Sequence, residues 1–158
     1  MEFMEIDTSL REAVGSFVEK YWKSRELVSL GRVHKADELP GYVALKNGKV
    51  QGVITYVLED GDCEIISLDS RKENVGIGSG LLKRVVHDNK ARGLGRIWLV
   101  TTNDNVKAMR FYQRRGFEMK AVHQNSIEKA RSLKPQIPLL GYEGIPILHE
   151  VEFEIKLK

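Results

Sequence analysis

The chain has 158 residues, a length that suits one domain able to bury about 68–70% of its unfolded surface. Its composition, 42% hydrophobic and 30% charged, excludes a disordered chain, and no apolar run reaches the roughly 18 residues of a membrane span. The formal charge of +3 is interspersed with acids, so neither nucleic acid nor a membrane is an expected partner.

Cys63 is the only cysteine, which rules out an internal disulfide and ligation of a metal by cysteine pairs. His34, His87, His123 and His149 are too dispersed to suggest a metal site. The opening, MEFMEIDTSLRE, is acidic where a secretory leader is basic and then apolar, so a cytoplasmic location is expected.

A short strand is expected over 3–7. Leu10, Val14, Phe17, Val18 and Tyr21 then recur at spacings of three and four, a helical pattern that Thr8 or Ser9 would cap. Residues 27–40 suit a short helix and a loop. The period changes next: 42–45 and 50–58 flank Asn47-Gly48, the strongest short hairpin signal. Asp60-Gly61 leads into a third strand over 63–68, so three antiparallel strands form a meander. Strict alternation along that strand puts Asp62, Glu64, Ile66 and Leu68 on one side.

Leu81, Leu82, Val85 and Val86, with Lys83, Arg84 and Asp88 opposite, make an amphipathic helix ending near Gly93. Residues 97–101 form a strand. Asn103 and Asn105 offer caps for a helix carrying Val106, Met109, Phe111 and Tyr112, which Gly116 stops, and 117–122 is a further strand. The closing EVEFEIKLK alternates strictly, with Val151, Phe153, Ile155 and Leu157 facing one way, and an exposed strand of that kind invites pairing with a second subunit. Before it, 124–149 is an insertion. SIEKARSLK suits a helix, and KPQIPLLGYEGIPI, stiffened by Pro135, Pro138 and Pro146, suits an ordered loop.

The stretch ENVGIGSGLL, 73–82, places Gly76, Gly78 and Gly80 between a strand and a helix. Each costs roughly 0.5–1 kcal/mol against alanine in regular structure, so three need a reason. Such a turn lines up backbone N–H groups at a helix N-terminus and makes an anion site. A P-loop needs Gly-Lys-Ser/Thr where Gly80-Leu81-Leu82 stands, and a dinucleotide fingerprint needs different glycine spacing and a later acid.

The stretch instead resembles the pyrophosphate motif of the GNAT superfamily of N-acetyltransferases, Gln/Arg-x-x-Gly-x-Gly/Ala, with Glu73 departing at its first position. NVKAMRFYQRRGF, 105–117, resembles the superfamily's second signature, Asn-x-x-Ala-x-x-Phe-Tyr-x-x-x-Gly-Phe, at Asn105, Ala108, Phe111, Tyr112, Gly116 and Phe117.

The resemblance implies one α/β (α+β) domain over 1–158, with a mixed, mostly antiparallel sheet of six to seven strands and helices on both faces. It implies an N-acetyltransferase that passes acetyl from acetyl-CoA directly to a primary amine of a small-molecule acceptor, without a metal. Val75, Gly76, Ile77, Gly78, Ser79 and Gly80 would hold the pyrophosphate, and the main chain of Leu68 and Asp69 would hold the pantetheine arm. Asn105 and Phe111 of the second motif would complete the cosubstrate site.

Tyr112 stands at the superfamily's acid position. A thiol near pKa 8.5 is a weaker base than a phenolate near 10, so full proton transfer from tyrosine is uphill by roughly 2 kcal/mol, and a hydrogen bond to the departing thiolate would serve. Glu64 would act as the base, directly or through water. Simple packing is the competing reading for Tyr112, and a solvated strand position for Glu64. Two rival functions remain open at this point: acetylation of a protein N-terminus or lysine, and a CoA-binding regulator without turnover.

Overall fold

The structure is a computed structural model that describes residues 1–158. In chain order its elements are β1 (Glu2–Glu5), α1 (Arg11–Trp22), β2 (Glu26–Ser29), β3 (Arg32–Lys35), β4 (Gly41–Lys46), β5 (Lys49–Glu59) and β6 (Asp62–Ser70). There follow α2 (Ile77–Ala91), β7 (Arg96–Thr102), α3 (Val106–Gln113), β8 (Glu118–His123), α4 (Ile127–Leu133) and β9 (Glu150–Lys156). Seven strands form one mixed sheet in the order β1-β4-β5-β6-β7-β9-β8, and β2 pairs with β3 separately. The pairs β1–β4, β4–β5, β5–β6 and β8–β9 are antiparallel. No helix is long and apolar enough to cross a membrane.

Two compact units make up the chain: residues 1–27, 34–97 and 157–158 in one, and 28–33 with 98–156 in the other. In the first, the meander turns as its sequence dictates. Asn47 and Gly48 take φ of 52° and 74°, Asp60 and Gly61 take 54° and 78°, and this left-handed pair matches the twist of the flanking strands.

Val43 and Val53, register partners on β4 and β5, pack with Val14, Phe17 and Val18 of α1. Each such side chain contributes roughly 1.5–3 kcal/mol of burial. The opposite face belongs to α2. Phe3, Ala44 and Gly52 are aligned across β1, β4 and β5, and a Cβ on Gly52 would lie 2.6 Å from Ile77 Cγ2 and 3.1 Å from Leu81 Cδ1. That glycine exists so that the helix can lie close to the sheet.

Two local expectations are corrected here. A 3-10 turn, Thr8–Leu10, precedes α1 and is capped by Asp7, whose carboxylate accepts the Leu10 N–H at 3.1 Å and the Ser9 hydroxyl at 2.6 Å. The helix α1 itself starts from Leu10 without a side-chain cap, so neither Thr8 nor Ser9 caps it. Residues 27–40 hold no α-helix. They form the strands β2 and β3 and one 3-10 turn, Ala36–Glu38. The hairpin turn is Leu30-Gly31, at φ 46° and 77°, and leucine in the left-handed region lacks the Asn-Gly or Asp-Gly signature that would have announced it.

In the second unit Phe153 of β9 is fully buried and Ile127 and Ala130 of α4 pack on Ile137, Ile147 and Val28. The stretch after α4 is ordered by Arg131, whose guanidinium donates to the carbonyls of Ile137, Pro138 and Ile147 at 3.3, 2.8 and 2.8 Å.

β9 is not the exposed edge expected of it. It lies between β7 and β8 in the sheet, and even its glutamates are buried: Glu150 accepts the Leu30 N–H at 3.1 Å, and Glu152 meets His123 Nε2 at 2.9 Å. With both edges already paired, β9 has no open ladder to offer a second subunit.

Candidate active site

The glycine turn divides its three glycines between two jobs. Leaving β6, the chain passes through Asn74 and Gly76 at φ 62° and 86°, and the helix begins at Ile77. A Cβ on Gly76 would meet nothing within 4 Å, so open space lies against bare backbone here. The first helical bond runs from Gly80 N–H to Gly76 C=O at 3.0 Å. The N–H groups of Ile77 and Gly78 come before it, in the first turn and at the positive end of a helix of 15 residues. Val75, beside them, is exposed.

Gly80 has a different role from the expected one. Its N–H is used within the helix, and the place of its Cβ is taken by the Phe3 ring, whose Cζ would be 2.6 Å away. Phe3 is in turn covered by the Arg84 guanidinium, 4.7 Å from the ring centroid. Gly80 is therefore a packing glycine.

A register shift between Thr55 and Tyr56 of β5 changes what β6 presents. Tyr56 pairs with Ile65 and Thr55 with Ser67, which leaves Ile66 as the extra residue of a bulge. Beyond it the alternation is reversed. Glu64 lies opposite Val57, Ser67 opposite Thr55 and Asp69 opposite Val53, all on the α1 face, whereas Leu68 lies opposite Ile54 on the α2 face. The expected row of Asp62, Glu64, Ile66 and Leu68 is thus broken at the bulge, and Glu64 shares its face with Asp69 instead.

On that face the Thr55 and Ser67 hydroxyls bond to each other at 2.6 Å, fully buried. Asp69, half-buried, accepts the Trp22 indole N–H at 2.6 Å. Loss of hydration pushes the Asp69 carboxyl up to about 6, and the indole bond partly opposes the rise. Glu64 is 7% exposed and already engaged in the interior. Cys63, on the other face, is raised to about 12 by burial, which leaves it a thiol and no nucleophile.

The second motif lies in the second unit. Asn105 caps α3 by accepting the Ala108 N–H at 3.1 Å. Tyr112, 6% exposed, is held edge-on between Phe111 and Phe117, with centroids at 5.1 and 5.2 Å. Gly116 at φ 92° ends the helix and lets the Phe117 N–H return to Tyr112 C=O at 3.1 Å. Arg115 lies over Phe111 at 3.7 Å.

Two residues ahead of the cap, Asn103 holds the late loop rather than the helix. Its amide donates to Pro146 C=O at 2.9 Å and accepts the N–H groups of Leu148 and His149 at 2.9 and 3.0 Å. Asp104 accepts the Tyr142 N–H at 3.1 Å and occupies the place of a Cβ on Gly141. Nothing in the local sequence distinguishes a loop-tying Asn103 from a cap. Nor does any spacing pair Trp22 with Asp69.

A mixed seven-stranded sheet, a glycine turn opening a helix after the third meander strand, and a capped Phe-Tyr helix after the next strand define an acetyl-CoA-dependent acyltransferase. Residues 5–117 match the sequence profile of the acetyltransferase (GNAT) family, and the chain belongs to that family.

It is 46% identical over 138 residues to the Bacillus subtilis (strain 168) protein called Uncharacterized protein YdhI, spanning 87% of this chain and 86% of that one. Uncharacterized protein YxbD of the same organism is 42% identical over 142 residues, 89% of each.

Among solved structures, a GNAT family acetyltransferase from Elizabethkingia anophelis with acetyl-CoA bound superposes with a TM-score of 0.69 at 16% identity, covering 98% of this chain and 97% of its own. A Bacillus subtilis acetyltransferase in complex with CoA gives 0.68 at 17%, covering 99% and 97%. The ribosomal-protein-S18-alanine N-acetyltransferase from Escherichia coli gives 0.70 at 13%, covering 99% and 94%. At these identities the likeness is one of fold.

Proposed function

We propose that the protein is a cytoplasmic N-acetyltransferase whose acceptor is a primary amine of a small molecule. The observation that carries this reading is the turn at Gly76, where open space lies against bare backbone at the N-terminus of a helix of 15 residues. That cradle suits a pyrophosphate. The exposed Val75 would border it, and main-chain groups of Leu68 and Asp69 would meet the amides of the pantetheine arm. Acetyl-CoA supplies an activated acyl group on sulfur.

The chain's own residues then have three tasks. Asn105 fixes the start of α3, and the packing of Phe111 and Phe117 fixes the phenol of Tyr112, the proposed partner of the departing sulfur. A carboxylate must accept the acceptor's proton, since an alkylammonium near pKa 10.4 cannot attack while charged. Glu64 and Asp69 are the carboxylates that β6 turns toward α1, and an acceptor that arrives as a cation suits their charge.

Calorimetric titration with acetyl-CoA, followed by thiol release with phenethylamine, spermidine and a lysine-containing peptide, tests the assignment. Binding that Gly76→Ala weakens, with release for one of the small amines, supports it. Release with the peptide alone would make the acceptor a protein. Tight binding without release for any amine would make the chain a CoA-binding regulator and overturn the reading.

A further inference from the structure

The carboxylates of β9 have no place in the chemistry assigned so far, yet they are held deep in the second unit. Alternation puts Glu150, Glu152 and Glu154 on one face of the strand, where they are 3%, 8% and 8% exposed. Carboxylates are almost never buried to that extent unless something answers their charge. Glu152 meets His123 Nε2 at 2.9 Å, and that imidazole is partly exposed, so the row has solvent at its rim. Glu154 has another carboxylate, Glu118 of the edge strand β8, as its register partner.

Glu150 is the one left incomplete. Its Oε2 accepts the Leu30 N–H at 3.1 Å, whereas Oε1 is buried without a hydrogen-bond partner. A polar atom in that state costs free energy, more so on a charged group, and in a native fold it calls for a partner.

The backbone over it is strained as well. Leu30 stands at φ 46°, a region that glycine enters readily and leucine does not, and Glu150 holds its N–H there. Beside it the exposed Lys129 passes over Gly31. Strain of this kind collects at ligand clamps, where binding can relieve it.

We propose that Glu150, with the carboxylates that follow it on β9, binds the charged nitrogens of the acceptor, which makes the acceptor a linear polyamine. The inference rests on the acetyltransferase reading. One terminal amine has to be neutral to attack, while the other nitrogens remain ammonium groups at neutral pH. An ammonium carries several N–H donors, one of which satisfies Oε1 of Glu150. Alternate residues of a strand stand about 6.6–6.8 Å apart, so amines separated by a few methylenes find a carboxylate for each charge. A monoamine spends its only nitrogen on the reaction and leaves Glu150 unanswered. The row, the Leu30-Gly31 turn and Tyr112 all belong to the second unit.

Spermidine and pentylamine are the probes. By NMR on the protein without cosubstrate, spermidine should shift the Leu30 amide, whose acceptor is Glu150, and pentylamine at equal ionic strength should not. In thiol release with acetyl-CoA, kcat/KM should favour spermidine by about 10–100-fold, the range of a charge-assisted hydrogen bond. Glu150→Gln keeps an oxygen for the Leu30 N–H but removes the charge. It should erase most of that preference through a raised KM for spermidine rather than a lowered kcat.

A Leu30 amide that spermidine leaves in place would overturn the proposal. So would equal kcat/KM for the two amines, or a preference that survives in Glu150→Gln, and the acetyltransferase reading stands in all three cases. The first two results come from the parent protein, so they decide even where Glu150→Gln does not fold. A parent that releases no thiol with any amine overturns both.

Discussion

Gly80→Ala separates the packing glycine from the cradle, and its sign depends on one neighbour. The added Cβ would stand 2.6 Å from Phe3 Cζ and 2.9 Å from Cε1, where carbon atoms in contact prefer about 3.5–4.0 Å. The ring therefore has to move by about 1 Å against its pairing in β1 and the Arg84 guanidinium over it. Overpacking of this kind costs about 1–3 kcal/mol. Alanine in place of glycine inside a helix returns about 1 kcal/mol.

The balance is destabilisation by about 0–2 kcal/mol. In a Phe3→Ala background the obstacle is gone, and the same substitution should stabilise by about 1 kcal/mol. Urea unfolding of the four proteins gives the coupling energy, expected at about 1–3 kcal/mol, and acetyl-CoA titration of each should agree within about twofold. The reasoning is refuted if Gly80→Ala stabilises both backgrounds equally. It is also refuted if Gly80→Ala abolishes cosubstrate binding with stability unchanged.

Asp69→Asn should stabilise the fold at neutral pH. The folded carboxyl, pushed up to about 6, lies above its unfolded value, so between about pH 4 and 6 the folded state holds more protons and stability falls as pH rises. The substitution should therefore gain up to about 2 kcal/mol at pH 8 and nothing below pH 4; denaturant unfolding at both pH values decides, and an equal effect at each would refute the linkage. Tyr112→Phe should slow thiol release by about 10²–10⁴-fold if the phenol acts as general acid, and an unchanged rate at every pH would remove it from the mechanism. Asn103→Ala removes three hydrogen bonds from the late loop, worth about 2 kcal/mol together, and should accelerate amide exchange at Leu148 and His149; protection equal to the parent would contradict the tie.

Much of this protein is local chemistry and was legible as such. Asn47-Gly48 and Asp60-Gly61 can turn a hairpin because those residues tolerate positive φ, whatever surrounds them. The stripe of α2, the Asn105 cap and the Gly116 stop act over a few residues, so their spacing places two motifs on two helices, and the resemblance of those motifs to the GNAT signatures implies acetyl-CoA.

The misjudged features all depend on partners distant in sequence. Spacing assigns Gly80 to the cradle, whereas the Phe3 ring at the place of its Cβ makes it a packing residue. β9 reads as an exposed strand because alternation cannot say that strands lie on both sides of it. The Ile66 bulge arises from the register of β6 against β5, and a one-residue offset exchanges every side chain beyond it between faces, moving Asp69 to the side of Glu64 and Leu68 away from it. Periodicity records which residues could share a face. Which ones do is settled by chain pairing across long loops, and so is the bond from Trp22 to Asp69.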